Sequence, residues 1–236
     1  TSFPVTVAAY SAADVTLTFM PASIGPQADT LQLSSADIPG DATYGEFALS
    51  GNGFDLSDGV VQVPAEVPTI QGAIDAASNG DTVLVSAGTY YERLNVSNKT
   101  ISIIGEDKNT TILDAENVGR AIYNSCSDPA SFEIHNLTIM NGGNSDNGSA
   151  LYLNSVESAV INNCIIRNNT ANNSIILLDG GTNASITKTL IANNTCTNSS
   201  NSYGAIVTYF NTTLTLDFVT VAYNVRGGLF SHESTS

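Results

Sequence analysis

The 236-residue sequence has no tryptophan, two methionines, two histidines and only seven lysines and arginines. Against 22 aspartates and glutamates that leaves a formal net charge of −15, which repels nucleic-acid phosphates and anionic membranes, so neither is an expected partner. The first cation is Arg93, and the acidic N-terminal third is therefore uncompensated. No run of 18 apolar residues occurs, and Thr1 is not followed by a charged and apolar leader. Neither membrane insertion nor a signal peptide is expected within these residues. Cys126, Cys164 and Cys196 are odd in number and form no C-x-x-C, so neither a disulfide framework nor a zinc site is indicated.

What the chain has is a repeat. From Phe132 to Tyr223 four turns carry FEIHNLTIMN, AVINNCIIRN, ASITKTLIAN and LTLDFVTVAY. Ile134, Ile161, Ile186 and Leu216 lie at steps of 27, 25 and 30 residues. The same steps join Leu137 to Cys164, Thr189 and Val219, and Ile139 to Ile166, Ile191 and Val221. Each turn is expected to hold this long strand run and one further strand, at Ala150, Ile175, Ala205 and Gly228. A unit this short cannot bury its own apolar face and must stack on its neighbours. Alternating β-branched residues broken by Gly, Asn and Ser identify the units as strands and the stack as a parallel β-helix. Cys164 then reads as a small core residue. Asn141, Asn168 and Asn193 share a column after the long run, where Asn tolerates the left-handed region and is expected to ladder its amides; Tyr223 breaks that column next to Asn224.

Upstream, Ile70, Ala73, Ile74 and Ala77 share one helical face, introduced by Pro68 and Thr69 and stopped by Gly80. The run from Val63 to Asp107, with the later NCIIRNNTA, resembles the opening of right-handed parallel β-helix proteins of the pectin lyase-like superfamily. That resemblance implies a short helix capping the first coil over a domain spanning residues 58–236. It specifies a fold and no single activity, because this superfamily includes lyases, esterases, adhesins and inert surface proteins. Residues 1–57 differ. Val15 to Phe19, Pro21 to Gly25, Thr30 to Ser35 and Leu49 to Gly53 resemble the closing strands of immunoglobulin-like "choice-of-anchor" or ASPM-like domains, which implies a partial β-sandwich. Its missing strands would come from a longer parent protein or from a neighbouring copy. The fold class expected is thus all-β: a right-handed parallel β-helix with a short N-terminal capping helix, preceded by a partial immunoglobulin-like sandwich.

Lyases of the superfamily place an acidic calcium cluster beside an Arg or Lys, and esterases pair two Asp with an Arg; both need these groups on adjacent coils. Outward positions along the long run offer Glu133 and His135, then Val160 and Asn162, Ser185 and Thr187, and Thr215 and Asp217. Asp217 is three coils from His135, about 14 Å at roughly 4.8 Å per coil, too far to cooperate. Glu133 with His135 reads as a surface ion pair, and Arg167 and Lys188 have no acidic cluster in register. Asp107, Asp114 and Glu116, near Lys108 and Arg120, are the one set suited to calcium, although their spacing matches no defined loop. No catalytic residue, cofactor or metal is assigned.

Asparagine is abundant: 23 of 25 lie from Asn95 onward, and eleven head an N-x-S/T sequon. These are Asn95, Asn98, Asn109, Asn136, Asn147, Asn168, Asn172, Asn183, Asn193, Asn198 and Asn211. Chance in a Ser/Thr-rich region predicts about five, so the excess points to an extracellular, N-glycosylated surface. The expectation is a non-catalytic extracellular structural or adhesive protein. Its open strand ends would join copies head-to-tail into a filament or belong to a larger parent. The alternative is a pectate lyase-like enzyme or carbohydrate-binding module acting on a polysaccharide, with Tyr90, Tyr91, Tyr152, Tyr203, Tyr209, Phe210 and Tyr223 as stacking candidates.

Overall fold

A computed structural model describes residues 25–34, 43–53, 58–143, 147–198 and 204–231. The chain divides into two compact units at Asp55 and Leu56. In the first, β1 (Gly25–Ser34) pairs antiparallel with β2 (Thr43–Gly53), in register from Gly25 opposite Gly53 to a shift at Leu33 and Ser34. The strand expected at Val15 to Phe19 lies outside the described residues.

The second unit is a parallel β-solenoid. After β3 (Val60–Val63) and α1 (Ile70–Ala76) come six coils. The first holds β4 (Thr82–Val85), β5 (Gly88–Tyr90) and β6 (Leu94–Asn95), and the second β7 (Ile101–Gly105), β8 (Thr111–Asp114) and β9 (Ile122–Ser125). The third holds β10 (Ser131–His135), β11 (Thr138–Met140) and β12 (Asn147–Asn154). In the fourth are β13 (Ser158–Asn162), β14 (Ile165–Arg167), β15 (Thr170–Ala171) and β16 (Ser174–Asp179). The fifth has β17 (Asn183–Thr187), β18 (Leu190–Ala192), β19 (Thr195–Cys196) and β20 (Gly204–Thr208), and the last β21 (Thr213–Asp217), β22 (Thr220–Ala222) and β23 (Leu229–Ser231). Stacking builds three parallel faces: β3-β4-β7-β10-β13-β17-β21, β5-β8-β11-β14-β18-β22 and β6-β9-β12-β16-β20-β23.

The columns expected from the repeat are in register. Ile134 pairs with Ile161, Ile161 with Ile186 and Ile186 with Leu216; Ile139, Ile166, Ile191 and Val221 do the same one face on. Each inner isoleucine of both columns is fully buried, as is Cys164. One expectation is corrected: a coil has three principal strands, not two. The long run bends where Asn136, Asn163, Lys188 and Phe218 stand at φ 58°, 55°, 50° and 52°. A left-handed residue turns the chain sharply, and asparagine reaches that region at the least cost after glycine.

Helix α1 is held from both ends by the first coil. Thr69 caps its start by accepting from Gly72 N, and the Glu92 carboxylate accepts from Ile70 N at 2.9 Å and Gln71 N at 2.8 Å. Lys99 Nζ donates to the carbonyls of Ile74, Asp75 and Ala77 at the other end. A negative charge at the N-terminus and a positive one at the C-terminus both complement the helix dipole. Ile70, Ala73 and Ile74 are buried beneath it.

Candidate functional site

Three places on the solenoid carry polar chemistry. The first is a ribbon across the outer surface of the face that holds β10. Ser102 Oγ donates to Glu133 at 3.3 Å, and Glu133 Oε2 lies 3.1 Å from His135 Nε2. Asn162 Nδ2 lies 3.3 Å from His135 Nδ1, and Thr187 Oγ1 donates to Asn162 Oδ1 at 2.8 Å. Five side chains on four strands thus bond in series. The order is wrong for nucleophilic catalysis, which needs the hydroxyl on the imidazole and the carboxylate behind it. Here the hydroxyl sits on the carboxylate. Glu133 with His135 is the only ion pair among the described residues, so Arg167 and Lys188 meet no acid within bonding range.

The second is inside a corner. Gly142 N donates to Asn169 Oδ1 at 2.7 Å; Asn169 Nδ2 donates to Asn194 Oδ1 at 3.0 Å and Asn194 Nδ2 to Asn224 Oδ1 at 2.9 Å. Backbone N–H groups of Asn169 and Asn194 bond the same oxygens at 2.9 Å. The amide ladder therefore runs through Asn169, Asn194 and Asn224, one residue beyond the column expected to form it. Asn141, Asn168 and Asn193, at φ 56°, 58° and 57°, make the turn itself, and Asn168 and Asn193 are exposed. Once the left-handed residue has turned the chain, the next side chain points inward and its amide meets the same group one coil away.

The third is a cleft of about 600 Å³ between the corner after β8 and the start of β9. Tyr91, Arg93, Asp114, Glu116, Arg120 and Tyr123 line it. Tyr123 stacks on Tyr152 with ring centroids 5.2 Å apart and 18° between planes. The Arg120 guanidinium lies 4.7 Å from the Tyr152 centroid and 5.8 Å from that of Tyr123, fixed by Nε donating to Asn147 O at 2.9 Å. Burial, then the charge of Asp179, raises the Tyr152 hydroxyl above its ordinary pKa, so it is a neutral hydrogen-bonding group at physiological pH. Tyr91 is 65% exposed and Tyr123 36%.

Two of the three acids of this cleft, Asp114 and Glu92, are already engaged. Both oxygens of Asp114 accept from Asn141 Nδ2 at 2.9 Å, and Glu92 is committed to α1. Asp107 Oδ1 accepts from Asn109 N and Nδ2 in its own turn. Asp107, Asp114 and Glu116 do not gather: among the described residues no three His, Cys, Asp or Glu converge to hold a metal. What the cleft offers is an aromatic surface, fixed donors and room for a small polar ring.

No protein-family model and no curated protein matches the chain. The sequon asparagines sort by environment. Asn168, Asn193 and Asn211 are exposed. So are Asn95, Asn98, Asn109, Asn172 and Asn183, whose side chains bond locally: Asn98 Oδ1 accepts from Ser127 N, Asn172 Oδ1 from Thr197 Oγ1, and Asn183 Nδ2 donates to Glu157 O. Asn95 Oδ1 accepts from Ser97 N, and Asn198 Nδ2 donates to Asn173. Asn136 is half-buried and accepts from Asn163, while Asn147 Oδ1 is fully enclosed without a partner.

Sequence reasoning named Tyr91 and Tyr152 as stacking candidates and Asp114, Glu116 and Arg120 as a charged set, but missed Tyr123 and the common cleft, which lies off the face that holds β10. A signal existed: Tyr123 and Tyr152 are 29 residues apart, one coil step.

Proposed function

We propose that the chain is a non-catalytic structural or adhesive module of an extracellular or cell-surface protein, glycosylated at some of its sequons. The observation that carries this reading is the direction of its polar bonds. The ribbon from Ser102 to Thr187 and the ladder from Gly142 to Asn224 both run along the solenoid axis and tie coil to coil. Side chains used this way stiffen a rod and are spent for acid–base work. Assay against a panel of acidic and neutral polysaccharides with added calcium tests it; turnover abolished by Glu133→Gln or His135→Ala would overturn it.

Assembly belongs to the same reading. On the last described coil Leu216, Phe218, Val221, Val225 and Leu229 are exposed, whereas Ile186 and Ile191 one coil earlier are fully buried. Strand edges beside apolar surface accept further β structure. Either further coils of a larger parent protein or the N-terminal strands of another copy would cover this surface; the second gives a head-to-tail filament, since such contacts propagate without closing. Electron microscopy of the concentrated chain should show filaments, and monodisperse particles alone would remove the filament.

The cleft favours a second reading, a carbohydrate-binding module. Tyr91 and Tyr123 would stack a sugar ring and Arg93 and Arg120 would bond its oxygens. Loss of polysaccharide binding in Tyr123→Ala would support it, and equal binding by that variant would refute it.

A further inference from the structure

We propose that Asn193 is an N-glycan attachment site of this chain, and that the first sugar packs on Tyr223. This deepens the extracellular reading above and rests on it. Asn193 heads the sequon Asn193-Asn194-Thr195, is exposed at φ 57°, and its own side-chain amide makes no hydrogen bond to the protein. The inward work of this corner is done by Asn194, so a sugar on Asn193 costs the fold nothing.

Register supplies the second observation. Ile191 pairs with Val221 and Ala192 with Ala222, which puts Tyr223 in the same outward column one coil on. Tyr223 is 87% exposed at φ 54°, in the left-handed conformation that asparagine fills at the three preceding corners. A bulky aromatic there is unfavourable for the backbone and buries nothing of its own. Adjacent coils stand about 4.8 Å apart, the distance at which a ring carried by Asn193 lies beside the phenol. The apolar face of a pyranose packs on such a ring as bases and aliphatic groups do. Asn168, with a comparable sequon, has Asn193 beside it in place of an aromatic and gains no such contact.

The test is secretion of the chain from eukaryotic cells, glycopeptide mass spectrometry at each sequon, and thermal unfolding before and after enzymatic removal of the glycans. Asn193 should carry sugar. Glycosylated protein should melt about 2–4 °C above its deglycosylated form, the shift expected of one modest contact in a domain of this size. Tyr223→Ala and Thr195→Ala should each abolish that difference, the first by removing the platform and the second by removing the acceptor sequon. Sugar at other sequons with Asn193 bare overturns this inference alone. A melting difference that survives Tyr223→Ala overturns the packing on Tyr223. No sugar at any sequon overturns the inference together with the glycosylated surface it rests on.

Discussion

Asn193 and Asn194 are neighbours in sequence and opposites in structure, and replacing each by alanine measures the ladder. Asn194 makes four bonds within the corner: its Oδ1 accepts from Asn169 N and Asn169 Nδ2, and its Nδ2 donates to Ile166 O and Asn224 Oδ1. Alanine leaves Asn169 N and Ile166 O without this partner, whereas Asn169 Nδ2 keeps Ile139 O and Arg167 O, and Asn224 Oδ1 keeps Asn194 N. Asn169 is fully buried and cannot recruit water, whereas Asn224 is half-buried and can. At roughly 1–3 kcal/mol for each of these two groups left without a partner, Asn194→Ala should cost about 2–6 kcal/mol. That is a large part of the roughly 5–15 kcal/mol holding a domain together. Asn193→Ala loses no bond and pays only for an alanine at positive φ, about 1 kcal/mol, and Asn193→Gly should be close to neutral. Unglycosylated protein made in bacteria, unfolded by urea and followed by circular dichroism, gives all three values. Asn194→Asp adds a check: it keeps the shape, loses both donors and buries a charge, so it should be as damaging at neutral pH and recover in part on acidification. Equal losses from Asn193→Ala and Asn194→Ala, or a cost below about 1 kcal/mol for Asn194→Ala, would refute the ladder as a stabilising element.

Further perturbations probe other contacts. Gly142→Ala should block folding of the third coil or lower the melting temperature sharply, because a Cβ there would sit 2.0 Å from Ser149 O and 2.9 Å from Asn169 Oδ1. Lys99→Met should cost about 1–2 kcal/mol, since it uncovers three carbonyls at the end of α1, and hydrogen exchange should quicken first in that helix. Burial pushes the Cys164 thiol from 9.0 up to about 11, so native protein should resist alkylation at pH 8. In the unfolded chain the same thiol ionises first as pH rises, so stability is fully present below about pH 9 and roughly 3 kcal/mol is lost by about pH 11. Cys164→Ala should flatten that alkaline decline, and an unchanged decline would refute the assignment.

The columns of the solenoid were legible because parallel coils place equivalent residues at coil-length steps, and burial on the inner side forces Ile134, Ile161 and Ile186 to stay apolar. Conformation at the corners was legible at Asn141, Asn168 and Asn193, where side-chain chemistry matches positive φ. The ladder was misplaced by one residue because that match says which residue turns and nothing about which amide points inward. Over the four turns both columns hold three asparagines: the inward one reads Gly142, Asn169, Asn194 and Asn224, and the outward one Asn141, Asn168, Asn193 and Tyr223, so composition alone does not separate them. Three strands per coil stayed hidden because Asn136 bends the backbone without interrupting the apolar alternation on either side. The cleft was legible only in part: the coil-length step from Tyr123 to Tyr152 marks one column, but Tyr91 stands one coil before Arg120 and Tyr123, and their meeting is set by how the corners protrude. A solenoid exposes its stacking in one dimension of the sequence, while a site on its surface is assembled across that dimension. Changes in the columns should therefore register as stability, and on the carbohydrate-binding reading changes at Tyr91, Arg120 or Tyr123 should register as binding, which separates the two roles in one set of variants.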